Sequence, residues 1–186
     1  MPRLFVAFEL PAEVRAELRK ALPSIAGARP VKPELMHVTL RFAGEVEDAT
    51  AEQLESMLEA TTATQHELSF TRAGTFPSLD GGRSPSVLFM GLERAPELLE
   101  LQSEIDEAVE TCGQPREARA FIPHVTVARL KNAPTSQVQR GIAALDRLEL
   151  PRVEVREFVL FESLISAAGS TYRELRRYAL SPPKAG

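Results

Sequence analysis

The pattern of apolar and polar residues gives strand-like runs, some alternating and some continuously apolar, at residues 3–9, 37–42, 66–74, 86–91, 124–130, 153–162 and 173–180, and each is predicted to be a β-strand. The segments between them carry apolar residues at helical spacing. Four helices are expected: Ala12 to Leu22 after Pro11, Ala49 to Thr62 after Asp48, Glu97 to Thr111 after Pro96, and one from Thr135 or Ser136 to Leu145. Proline in a first turn and Asp or Ser at a cap are start signals, and Gly113 just past the third helix is a stop signal. Gly74 to Ser86, rich in Gly, Pro and Ser, reads as an exposed loop carrying Arg83, a cation placed to help hold an anion. The tail from Ser181 to Gly186 is expected to be loose.

The order strand, helix, strand, helix, strand occurs in residues 3–74 and again in residues 86–162. Leu4 to Pro11 corresponds to Val87 to Glu93, and His37-Val38-Thr39-Leu40 corresponds to His124-Val125-Thr126-Val127. Such repeats are too long for a solenoid and suit two similar lobes facing each other across a cleft. The expected fold class is α+β, with two antiparallel sheets lining a central cleft, helices outside, and a closing strand at 173–180. A chain of 186 residues accommodates this as one domain, residues 1–186, and not as two independent ones.

Composition narrows the chemistry. With 44% hydrophobic and 26% charged residues the chain reads as soluble, and no apolar run approaches the roughly 20 residues that span a bilayer. The start, Met1 to Glu9, lacks the apolar core of a secretion signal, so the expected location is the cytoplasm. The lone Cys112 makes no intrachain disulfide and no thiolate metal cage. A net charge of −4 argues against a broad basic face for long nucleic acid, while leaving room for a local Arg and Lys cluster around a short or terminal nucleotide. Nothing in the sequence asks for a cofactor, and monomer is the default state.

The chemistry concentrates in the two His-x-Thr strands. Strand alternation puts His37 and Thr39 on one face, with Val38, Leu40 and Phe42 on the other, and treats His124 and Thr126 against Val125 and Val127 in the same way. If the duplicated strands face one another, two imidazoles and two hydroxyls converge. That set suits phosphodiester cleavage: a neutral imidazole takes a proton from water while a protonated one gives a proton to the departing sugar oxygen. The Thr39 and Thr126 hydroxyls would bind the non-bridging oxygens, with nearby guanidinium groups stabilising the charge that gathers there. Two of only three histidines lie in these matched tetrapeptides, which favours a shared site over two structural residues; His66 lacks the motif and is read as structural. A metal site fits poorly, because neither strand face adds a second His or a carboxylate and Thr is a weak zinc ligand.

These residues resemble the 2H phosphoesterase superfamily, and within it the RNA 2′,3′-cyclic phosphodiesterase branch once described as 2′-5′ RNA ligases. The similarity runs from Arg3-Leu4-Phe5-Val6-Ala7-Phe8 through His37 to Phe42 with Gly44, Phe76-Pro77, Phe121 to Arg129, and Leu160 to Ser163 with Gly169 and Tyr172. The resemblance implies a bilobal fold and metal-independent hydrolysis of an RNA-terminal 2′,3′-cyclic phosphate to a 2′-phosphate, with His124 activating water and His37 protonating the leaving 3′ oxygen. It also implies a phosphate or nucleotide contact for Arg129. Strand parity points Arg129 away from His124, so a bulge or the strand end must re-aim it. Arg41 has the right parity to join His37 and Thr39, and Phe121 is a candidate to stack on a terminal base. Two alternatives stay open on the sequence alone: a nucleotide- or RNA-binding module with the same groove and no turnover, and joining of RNA ends through a 2′-5′ bond.

Overall fold

The strand Arg3–Glu9 (β1) buries Leu4 to Phe8 on both of its faces, which marks it as central in a sheet covered on each side. Leu4, Val6 and Phe8 join the main core beneath the helices, whereas Phe5 and Ala7 join Val159 and Phe161 in a separate apolar floor on the opposite face. That floor becomes one wall of the functional site. The computed structural model describes residues 1–167 and 169–183, so Lys184 to Gly186, the end of the tail expected to be loose, lie outside the described residues.

After β1 come α1 (Ala12–Ala21), β2 (Ala28–Pro30), β3 (His37–Glu45), α2 (Asp48–Glu59), β4 (His66–Leu68), β5 (Phe70–Phe76) and β6 (Val87–Leu92). Then come α3 (Pro96–Thr111), β7 (His124–Leu130), α4 (Thr135–Asp146), β8 (Val153–Val155), β9 (Glu157–Ser166) and β10 (Gly169–Ala179). Each expected strand and helix is present, with two predicted strands interrupted. The runs at 66–74 and 153–162 break at Ser69 and Arg156, and their first three residues pair with each other as the small β4-β8 sheet. The strand β2 was not expected. Helix starts also differ from the predicted caps: Pro11, Glu47, Ala95 and Pro134 precede the helices without side-chain capping bonds. Asp48 instead lies in the first turn of α2, where its charge complements the helix dipole. Gly113 takes the left-handed conformation, φ 85°, expected just after a helix.

The main sheet is antiparallel throughout and runs β10-β9-β1-β3-β7-β6-β5, with β2 on β7. The two expected sheets are joined at one point, a pairing of Val38 with Val125. Beyond that point β2 takes the edge of β7, opposite Ala128 to Leu130, so β3 and β7 are free to diverge. The sheet halves do not coincide with the sequence repeats. The half built on β1 and β3 takes β9 from the second repeat, and the half built on β6 and β7 takes β5 from the first. The helices cross over as well: α3 lies over β3 beside α2, and α4 lies over β5 and β6 beside α1.

Because each half borrows a strand and a helix from the other repeat, neither repeat has its own complete core. Denaturant unfolding followed by circular dichroism and by Tyr172 and Tyr178 fluorescence is expected to give one coincident transition, and a fragment of residues 1–80 is expected to remain unfolded alone. Two separated transitions would contradict a single folding unit.

Candidate active site

The Val38–Val125 pair fixes the geometry of the site. Both valines are fully buried, so their neighbours His37, Thr39, His124 and Thr126 project from the opposite face of the sheet. In antiparallel register His37 lies across from Thr126 and Thr39 across from His124, which leaves the histidines in the diagonal relation, with about 7–8 Å between backbone positions. This is the convergence expected from the sequence. The two imidazoles are near enough for the charge of His124 to act on His37.

Each imidazole is oriented by its own strand. The Nδ1 of His37 is 2.8 Å from the Leu35 carbonyl, and the Nδ1 of His124 is 2.7 Å from the Ile122 carbonyl. A carbonyl only accepts, so each Nδ1 carries the proton and each Nε2 is left to work. Aromatic rings hold the orientation: Phe5 and the edge of Tyr172 are 5.0 and 5.1 Å from His37, and Phe76 and Phe89 are 4.9 and 5.3 Å from His124. Burial is the main cause that lowers the His37 pKa to about 4, opposed by the Leu35 bond and reinforced by the charges of Arg129 and His124. Burial also lowers the His124 pKa, again with Arg129 contributing. His66 makes the same kind of bond, to Thr64, but stands on β4 in the small sheet, apart from the pair.

Matching bulges come just after both motifs. On β3, Thr39 faces Ala7 and Arg41 faces Val6, so Leu40 is the extra residue; on β7, Thr126 faces Phe89 and Ala128 faces Leu88, so Val127 is extra. A bulge reverses the facing of the residues beyond it. Arg129 is thereby returned to the face of His124 and Thr126, as the resemblance required. Arg41 is turned the other way, contrary to simple parity. Its side chain is 7% exposed, with Nε 2.6 Å from Asp106 of α3, and it donates to the Pro115 carbonyl. Phe42, placed in the core by alternation, is 58% exposed on the groove face, 5.8 Å from Phe5. The missed signal lay in the repeat itself: Phe42 and Arg129 occupy equivalent places, each five residues after a motif histidine. Phe121 is half-buried against the core, with its carbonyl bonded by Arg94, and Arg83 is exposed in the loop before β6.

A cavity of about 220 Å³ opens beside His37, lined by Glu9, Met36, Phe161, Tyr172 and Glu174 among others. Among the described residues no group of three or more His, Cys, Asp or Glu side chains is placed to hold a metal ion, and no helix is long and apolar enough to cross a membrane.

The joined sheets and the two inward-facing His-x-Thr strands are those of a 2H phosphoesterase. The chain belongs to the 2′-5′ RNA ligase superfamily, whose family profile matches residues 9–164. It is 31% identical to the RNA 2′,3′-cyclic phosphodiesterase of Archaeoglobus fulgidus, over 94% of this chain and 98% of that one. It is 34% identical to the protein of the same description from Thermus thermophilus, over 96% and 90%. The crystal structure of Escherichia coli LigT complexed with 3′-AMP superposes with a TM-score of 0.74 at 26% identity, covering 96% of this chain and 98% of that one.

The new position of Arg41 makes it a structural residue. Arg41→Ala is expected to lower unfolding free energy by about 3 kcal/mol or more, because it leaves Asp106 buried without its partner. The double change Arg41→Met with Asp106→Leu should recover most of that loss in urea unfolding.

Proposed function

We propose that this protein hydrolyses the 2′,3′-cyclic phosphate at the 3′ end of RNA to a 2′-phosphate, without a metal, using His37 and His124 as an acid and base pair. The observation that carries the reading is the diagonal placement of two imidazoles, each with Nδ1 tied to a backbone carbonyl and Nε2 free, on one groove face. Membership of the superfamily and the shared description of its relatives support the substrate class.

In the proposed step, His124 Nε2 takes a proton from water as the water oxygen attacks phosphorus. The bond from phosphorus to the 3′ oxygen breaks, and His37 Nε2 delivers its proton to that oxygen. Thr39, Thr126 and Arg129 surround the non-bridging oxygens, where negative charge accumulates. Phe121 contributes through its packing beneath the motif, and Phe42 is the exposed ring on the groove. The direction of proton flow comes from the resemblance. Burial makes His37 hard to protonate in the free protein, so this direction requires the anionic phosphate to stabilise the imidazolium once bound. The reading extends to a monomer acting in the cytoplasm, with sedimentation as the check on the first.

Replacing either histidine by alanine should reduce turnover of a nucleoside 2′,3′-cyclic phosphate by about 10³-fold or more with the fold retained. Phosphorus NMR of a short RNA ending in a cyclic phosphate reports both turnover and the surviving ester, and it separates hydrolysis from 2′-5′ joining. Full activity of either variant would refute the assignment.

The pH dependence comes from one neutral and one protonated imidazole being needed together. Only the form in which the two imidazoles share one proton is active, so with His37 near 4 and His124 below its ordinary 6.5, kcat/KM should rise as pH climbs past about 4, where the doubly protonated form is lost, and fall before neutrality, where the last proton leaves the pair. A maximum above pH 7.5 would contradict this.

The acid and base roles are separable with a substrate whose 3′ bridging oxygen is replaced by sulfur, a leaving group that needs no proton. It should restore much of the activity of His37→Ala and little of that of His124→Ala. The opposite pattern would reverse the roles.

A further inference from the structure

Arg129 does not stand alone on the groove face. The unexpected strand β2 places Arg29 directly opposite it, as Cα partners in an antiparallel pair. Opposed residues in such a pair project from the same face with Cβ atoms about 5 Å apart, and like charges placed so repel. The row across the sheet reads Phe76, Val87, Arg129, Arg29, and Phe76 at its far end contacts His124. This fixes the row on the side of the catalytic pair.

Both guanidinium groups are exposed, and among the described residues neither has a carboxylate partner. Other arginines of the protein, among them Arg41, Arg152, Arg156, Arg173, Arg176 and Arg177, each hold an Asp or Glu. In a chain of net charge −4, these two adjacent cations without a carboxylate partner give this face of the sheet a local positive charge. Among the described residues β2 pairs with no strand other than β7, and Arg29 is the exposed residue of its three.

We propose that Arg29 binds a second phosphate of the substrate, the phosphodiester that precedes the terminal nucleotide, and so makes the protein prefer an RNA chain over a free nucleoside cyclic phosphate. The proposal rests on the hydrolase reading given above. Arg129 holds the reacting phosphate between the imidazoles, and Arg29 holds the next one along the chain. Two phosphates carried on adjacent nucleotides thereby relieve the repulsion between the two arginines. Arg29 contacts the substrate backbone, not a base, so the preference is for chain length and not for sequence.

The test compares a dinucleotide ending in a 2′,3′-cyclic phosphate with the corresponding nucleoside 2′,3′-cyclic phosphate, at several salt concentrations. Wild type is expected to have the higher kcat/KM on the dinucleotide, and Arg29→Ala to cut that preference about tenfold, with partial recovery in Arg29→Lys. The slope of log kcat/KM against log salt on the dinucleotide should shrink by about 0.7 in Arg29→Ala, the value for one contact to a single-stranded phosphate. An unchanged preference, or an equal loss on both substrates, would overturn the proposal. If wild type turns over neither compound, the hydrolase reading fails, and fluorescence anisotropy of a labelled dinucleotide 3′-monophosphate against the labelled mononucleotide decides the Arg29 contact separately. Equal affinity ratios in wild type and Arg29→Ala overturn it, and a ratio lowered in the variant upholds it.

Discussion

One backbone pairing, Val38 with Val125, governs the site. It is the register point at which β3 meets β7, and it joins the two halves of the sheet. Since both valines are sealed in the core, the pairing cannot slip without exposing an apolar residue and burying a histidine in its place. The core therefore sets the spacing of the two imidazoles. Beyond the junction β3 no longer pairs with β7, and β2 takes the edge of β7 opposite Ala128 to Leu130.

The same arrangement sets a conflict between burial and charge. His37 lies against Phe5, Phe161 and Tyr172, and this apolar wall that orients it also resists its protonation. Arg129 adds to the resistance at both histidines. The positive charge of Arg129 thus works against imidazolium, and under the proposed function a phosphate would reverse the balance by supplying negative charge to all three groups. Proton affinity and ligand binding are linked: whatever anion binds here raises the affinity of the histidines for protons.

Much of this was legible in the sequence because the determining signals are local. A continuous apolar run located β1, alternation located β3 and β7 to within a few residues, and the repeated tetrapeptides identified the imidazole and hydroxyl pairs. Alternation failed at Leu40 and Val127, where a bulge adds one residue. A bulge leaves no fixed residue type behind, so Arg41 and Phe42 were assigned to each other's faces, whereas Arg129 was recovered only because its resemblance conflicted with parity. Strand β2 was invisible for a different reason: three residues, Ala28-Arg29-Pro30, carry no period and end in proline. The exchange of β5 and β9 between halves is a matter of long-range pairing, which local patterns do not encode.

The duplicated motif alone would give a groove with no direction. Two bulges of the same form, however, present different groups at equivalent places: the exposed ring of Phe42 after the first motif and the guanidinium of Arg129, with Arg29 beside it, after the second. Because β3 and β7 run antiparallel at their junction, these groups lie toward opposite ends of the four-residue cluster. One end offers an apolar π face and the other offers positive charge. A nucleotide chain, the proposed substrate, is itself unsymmetrical, with bases on one side and phosphates on the other, so the two ends of the groove would not be interchangeable for it. The asymmetry between the two ends of the groove thus resides in the residues just beyond the bulges, outside the two His-x-Thr motifs.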